Sequence, residues 1–155
     1  LVDGGVVTGG ITFSGGFFKP NSSPATNDLT HTLVNADSGK TVFLNASQAT
    51  TITLPAVSTV DAGWHIKVIL TATGAAGIVQ TGNSLEDTMI GQITFLDANG
   101  SEADVDYDEH ANTVTFLDTC LPGSYVDIVS NGTMFYVNGF GTHATDASKL
   151  TISDE

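Results

Sequence analysis

Alternation of polar and apolar residues constrains this chain more than any other feature. In Lys40 to Asn45, Val42 and Leu44 fall on one side of an extended backbone, and Thr41 and Phe43 on the other. Thr50 to Leu54 sets Ile52 and Leu54 against Thr51 and Thr53. Trp64 to Leu70 sets Trp64, Ile66, Val68 and Leu70 against His65, Lys67 and Ile69. A period of two is that of a strand with one buried face, and a helix has no use for it. Ser38-Gly39 turns the chain and Pro55 ends a strand.

The same reading extends along the chain. Leu29 to Val34 alternates, Ile78-Val79 is a short strand, and Met89 to Leu96 is another ahead of a turn at Asn99-Gly100. An acidic loop is expected from Ser101 to Asn112, followed by a strand from Thr113 to Leu117. Tyr125 to Val129 and Met134 to Val137 form a hairpin around Asn131-Gly132, a dipeptide favoured in type I′ turns. Eight or nine short strands with frequent turns predict an all-β fold, a β-sandwich or jelly-roll-like domain with an extended N-terminal arm. The expected division is an arm over 1–30, the sandwich over 31–141 and a polar tail over 142–155, with a short helix around Asp146 to Leu150.

The arm differs in composition. Gly-Gly pairs at 4–5, 9–10 and 15–16 separate Val6, Val7, Ile11, Phe13, Phe17 and Phe18, and a Ser/Pro/Asn-rich stretch follows from Asn21 to Asp28. Glycine pairs interrupt regular elements, so these apolar residues have no core of their own to enter. They are expected to be buried against a partner.

With 17 acids against 4 lysines and no arginine, the formal charge is −13. Nucleic-acid binding needs cationic side chains at the phosphates, and anionic lipid repels such a surface, so neither partner is expected. No apolar run is long enough for a transmembrane helix. The opening residues carry no basic stretch ahead of an apolar one, so a secretory signal is not expected there. The sequons at Asn21, Asn45, Asn99 and Asn131 then reflect an Asn/Ser/Thr-rich β protein. Cys120 is the only cysteine; it cannot form an intramolecular disulfide and reads as a small core residue.

Reactive constellations are scarce. Gly39-Lys40-Thr41 imitates the end of a phosphate-binding loop, but Val34 stands where the motif needs glycine, and a strand follows instead of a helix. Asp104, Asp106 and Asp108 are the one weak calcium candidate; Glu109 stands where an EF-hand needs glycine, and Thr115 where it needs glutamate. His31, His65, His110 and His143 are too dispersed for a zinc motif, and no nucleophile elbow occurs. No enzyme activity, cofactor or metal is expected. A carbohydrate platform would draw on Trp64, Tyr107, Tyr125 and Tyr136, of which Trp64 falls on a core face.

Asp37-Ser-Gly-Lys-Thr-Val-Phe-Leu-Asn45, then Thr51-Ile-Thr-Leu-Pro55, then Gly63 and Ile66-Lys-Val-Ile-Leu70, resemble a β module of tailed-bacteriophage virion proteins, above all capsid decoration (cement) proteins and some tail fibres. The likeness covers about 40 residues and does not extend past Leu70. It implies a β-rich homotrimer on the outer surface of the virion head. There, an N-terminal arm would bind the major capsid protein and stabilise its lattice. A tail-fibre or receptor-binding module is the alternative it implies.

Overall fold

The computed structural model describes residues 30–82, 88–97, 103–144 and 150–154. Among them the chain forms eleven strands: β1 (Thr30–Thr32), β2 (Lys40–Asn45), β3 (Thr50–Thr53), β4 (His65–Ala72), β5 (Gly77–Gln80), β6 (Met89–Asp97), β7 (Ala103–Ala111), β8 (Thr113–Phe116), β9 (Tyr125–Ser130), β10 (Phe135–His143) and β11 (Leu150–Ser153). They make two sheets, one of five strands in the order β1-β3-β5-β8-β11 and one of six in the order β2-β4-β9-β10-β6-β7. The expected all-β sandwich is what the chain forms.

Its first half winds as a coil. Successive strands β1 to β5 alternate between the sheets, and each lies parallel to the strand two before it: β1 with β3, β3 with β5, and β2 with β4. Parallel neighbours need a crossover, and here the crossover is a strand of the opposite sheet. The second half is mostly antiparallel, with a β9–β10 hairpin, a β6–β7 pair and a β8–β11 pair, while β6 and β10 run parallel.

Inward residues fill the space between the sheets. Val42, Leu44, Ile52, Leu54, Ile66 and Val68 are buried, and Trp64 packs edge-on to Phe135 with ring centroids 5.8 Å apart. Removing such side chains from water is the main stabilising term for a fold of this kind.

Three expectations are corrected. The acidic stretch is strand β7, because β6 offers it a nearly complete antiparallel ladder. Charged residues suit an outermost strand, where they resist pairing with other chains. The segment read as a tail contributes β11, since Leu150 and Ile152 are buried and alternate with Thr151 and Ser153. The β9–β10 turn is not type I′, because Gly132 has a positive φ of 94° and, among the described residues, no non-glycine residue does. The Asn131 carboxamide instead accepts hydrogen bonds from the Thr133 and Met134 N–H groups, at 2.9 and 2.8 Å. Residues 145–149, where most of the short helix was expected, and the Asn99-Gly100 turn lie outside the described residues.

Gly91 marks the tightest approach in the sandwich. A β-carbon there would lie 2.0 Å from the Val137 carbonyl oxygen of β10, beside the irregularity in the β6–β7 register. We expect Gly91→Ala to lower the unfolding free energy by about 2–3 kcal/mol in urea denaturation, as overpacking against backbone does.

Candidate functional site

The corner ahead of β2 explains the Asp37-Ser-Gly-Lys run. A short 3-10 turn over Asn35–Asp37 brings the Asp37 carboxylate back to the Val34 N–H at 2.8 Å, and the Lys40 ammonium pairs with its other oxygen. Ser38 Oγ accepts from the His65 N–H at 3.3 Å. Gly39 takes a φ of 81°, so that its N–H reaches the His65 carbonyl at 2.7 Å. Asp37 and Lys40 are thus committed to bracing the corner itself, and Ser38 and Gly39 to holding it against β4. Burial works to raise the Asp37 pKa; the hydrogen bonds from Lys40 and Val34, with the nearby charges of Lys40 and His31, outweigh it and hold the carboxyl below its ordinary value.

A depressed carboxylate contributes its stability above the unfolded pKa and loses it as pH falls through the folded one. Asp37→Asn is expected to cost about 2 kcal/mol at neutral pH and to flatten the wild type's loss of stability below about pH 4 in acid titrations followed by denaturant melts.

The calcium candidate does not converge. Asp104, Asp106 and Asp108 occupy alternate positions of β7, on the face shared with Phe95 and Ile93 of β6. Alternate residues of a strand stand about 7 Å apart along the backbone, so three such carboxylates share an ion only by leaning together. Their carboxylates accept backbone hydrogen bonds instead: Asp104 from Val105, Asp108 from His110, and Asp106 from Ile152 of β11 at 2.9 Å. The last bond closes the rim between the two sheets. Beside it lies a half-open cleft of about 270 Å³ lined by Phe95, Asp104, Val105, Asp106 and Thr151. Among the described residues no group of three His, Cys, Asp or Glu side chains is arranged to hold a metal.

Cys120 is buried and forms an isolated bridge with His143. Burial pushes its thiol from an ordinary value near 9 up to about 11. Since the unfolded thiol ionises first, this contribution is complete below about pH 9 and is lost as pH rises toward 11. At pH 8 the native chain should react with a thiol reagent on the order of a hundredfold more slowly than the urea-unfolded chain.

What the fold does assemble is a surface. On the outer face of the six-stranded sheet the register aligns Phe43, Ile69, Tyr125, Phe140, Thr94 and Val105 in one row across all six strands. The next row is Thr41, Lys67, Asp127, Asn138, Gln92 and Tyr107, and a third holds His65, Val129, Tyr136 and Ile90. Lys67 bonds Asp127 at 2.9 Å and lies 4.0 Å from the Tyr125 ring centroid, and Tyr125 meets Phe140 at 6.5 Å. Of the nine aromatic residues described, Phe43, Tyr107, Tyr125, Tyr136 and Phe140 lie here, and Trp64, Phe95, Phe116 and Phe135 are buried.

The outer face of the five-stranded sheet is different. Its rows read Thr30, Thr51, Ile78, Thr115, Thr151 and Thr32, Thr53, Gln80, Thr113, Ser153. β-branched hydroxyl residues fit a strand, and all of these threonines except the buried Thr113 keep some contact with water.

Alternation sets Phe43, Lys67 and Ile69 opposite the core, and aromatic character makes Trp64, Tyr107, Tyr125 and Tyr136 the platform candidates. The structure brings all three tyrosines to one face and buries Trp64. Val105 and Phe140 were missed because β7 was read as a loop and β10 as ending at Val137; the alternation of each stretch was the available signal. The arm residues Val6, Val7, Ile11, Phe13, Phe17 and Phe18 lie outside the described residues. Comparison with protein families, with curated proteins and with solved structures finds no match to this chain.

Proposed function

We propose that this chain is an accessory structural protein of a tailed-phage virion, a decoration protein on the outer surface of the head. It acts as a homotrimer and binds the major capsid protein through the leading segment, stabilising the capsid lattice without bond-making chemistry. The observation that carries this reading is the fate of the module's polar residues. Asp37, Ser38 and Lys40 are consumed in bracing one turn of the coil. What the domain presents outward is broad sheet surface, and surface burial is how a protein seals a seam between neighbours. Val6, Val7, Ile11, Phe13, Phe17 and Phe18 supply apolar side chains for strand addition to a partner sheet. Each large one that is fully buried contributes about 1.5–3 kcal/mol, and ordering the backbone costs about 1–2 kcal/mol per residue. A single arm is therefore near balance, and a trimer gains by avidity.

Removal of residues 1–20 is expected to leave the far-ultraviolet circular dichroism of the domain unchanged and to abolish binding to particles that lack the protein, as seen by electron microscopy. Full decoration by the truncated chain would refute the arm's role. Copy number decides between the two virion readings: hundreds of copies per purified particle fit the head, and tens or fewer assign the chain to a tail fibre or receptor-binding module.

A further inference from the structure

We propose that the outer face of the six-stranded sheet is a two-fold contact through which copies of this chain pair, separate from the three-fold contact of the homotrimer proposed above. The two outer faces of the sandwich have been dressed differently. One is lined with threonine, and the other carries every tyrosine in the chain together with Phe43 and Phe140. Aromatic enrichment with few charges at the centre is what separates an association surface from ordinary protein surface. Phe43, Val105, Tyr107, Val129 and Tyr136 are exposed, which is where anchor residues must stand before they are covered.

Charge and symmetry favour a second copy as the occupant. The chain carries a net −13, so two copies repel unless they meet where the charge is low. Asp127 is the only carboxylate the register aligns in the three rows, and Lys67 pairs with it; Glu109 stands exposed at the β7 edge beside them. The middle row is also self-complementary. A two-fold axis along the strands through the middle of the sheet, between β9 and β10, sets Asp127 of one copy against the Asn138 amide of the other and Lys67 against the Gln92 amide; each amide can donate and accept. The size suffices as well. Five strand spacings by about six residues give roughly 24 by 20 Å per copy, so two copies bury on the order of 1,000 Å², the lower end for a specific interface.

This inference stands apart from the virion reading, because self-association is measured on the isolated full-length chain. Sedimentation equilibrium over a concentration series is the test, with circular dichroism and thermal melts confirming that each variant is folded. The wild type is expected to associate reversibly. Tyr136→Glu and Phe43→Glu, at exposed positions, should each weaken association by about tenfold or more. Thr53→Glu on the opposite sheet should leave it unchanged. A wild type that stays monomeric at concentrations of about 100 µM overturns the proposal. So does association that withstands both face variants, or that is dissolved by Phe17→Glu and not by Tyr136→Glu, which would assign self-association to the leading segment. Loss of self-association with retained particle binding would separate this surface from the capsid-binding role.

Discussion

A strand has two faces, and every other property of this molecule depends on which residues the hydrogen-bonded register assigns to each. Once β2 pairs with β4 so that Val42 meets Val68, the next residues, Phe43 and Ile69, must point to solvent. The same parity runs through β9, β10 and β6, so one set of ladders builds both the buried core and the aromatic outer rows. A slip of one residue would exchange the two sets. The bracing of the Asp37 corner matters for this reason: it fixes the point at which β2 begins.

Much of this was legible in the linear chain. β2 occupies the residues that alternation assigned to it, and the buried residues of β3 and β4 are those the pattern put inward. The acidic strand was harder to recognise: Val105 and Tyr107 alternate with Asp104, Asp106 and Asp108, but four carboxylates between Asp104 and Glu109 read as a solvated loop. Its place at the rim depends on the ladder with β6 and on the Ile152 N–H, the latter remote in sequence. β11 was hidden likewise: only four residues long, it is held by β8 and by the core that Leu150 and Ile152 enter.

The candidate surface was half legible. Parity identified the outward residues of each strand, yet nothing local says that Tyr107, Tyr125 and Tyr136 share a sheet. Their meeting requires the parallel pairing of β6 with β10, between segments whose separation in sequence no short-range signal spans. The coil was invisible for a related reason. Alternation reports that a strand has one buried face and is silent on which sheet the strand joins. Successive strands of like pattern read the same whether they fold back as hairpins or wind around a common core.

The winding of β1 to β5 has a consequence for the order in which the molecule is completed. The coil's inner strand β4 has β2 on one side, and its other side is filled only by β9, whose residues 125–130 lie some sixty positions later. On the ribosome, the first two turns emerge with an open ladder and half of a hydrophobic seam uncovered. Contacts of such long range make closure slow compared with hairpin formation. Until β9 docks, the free edge of β4 has no ladder partner, so the seam begun by the coil is sealed only by the second half of the chain.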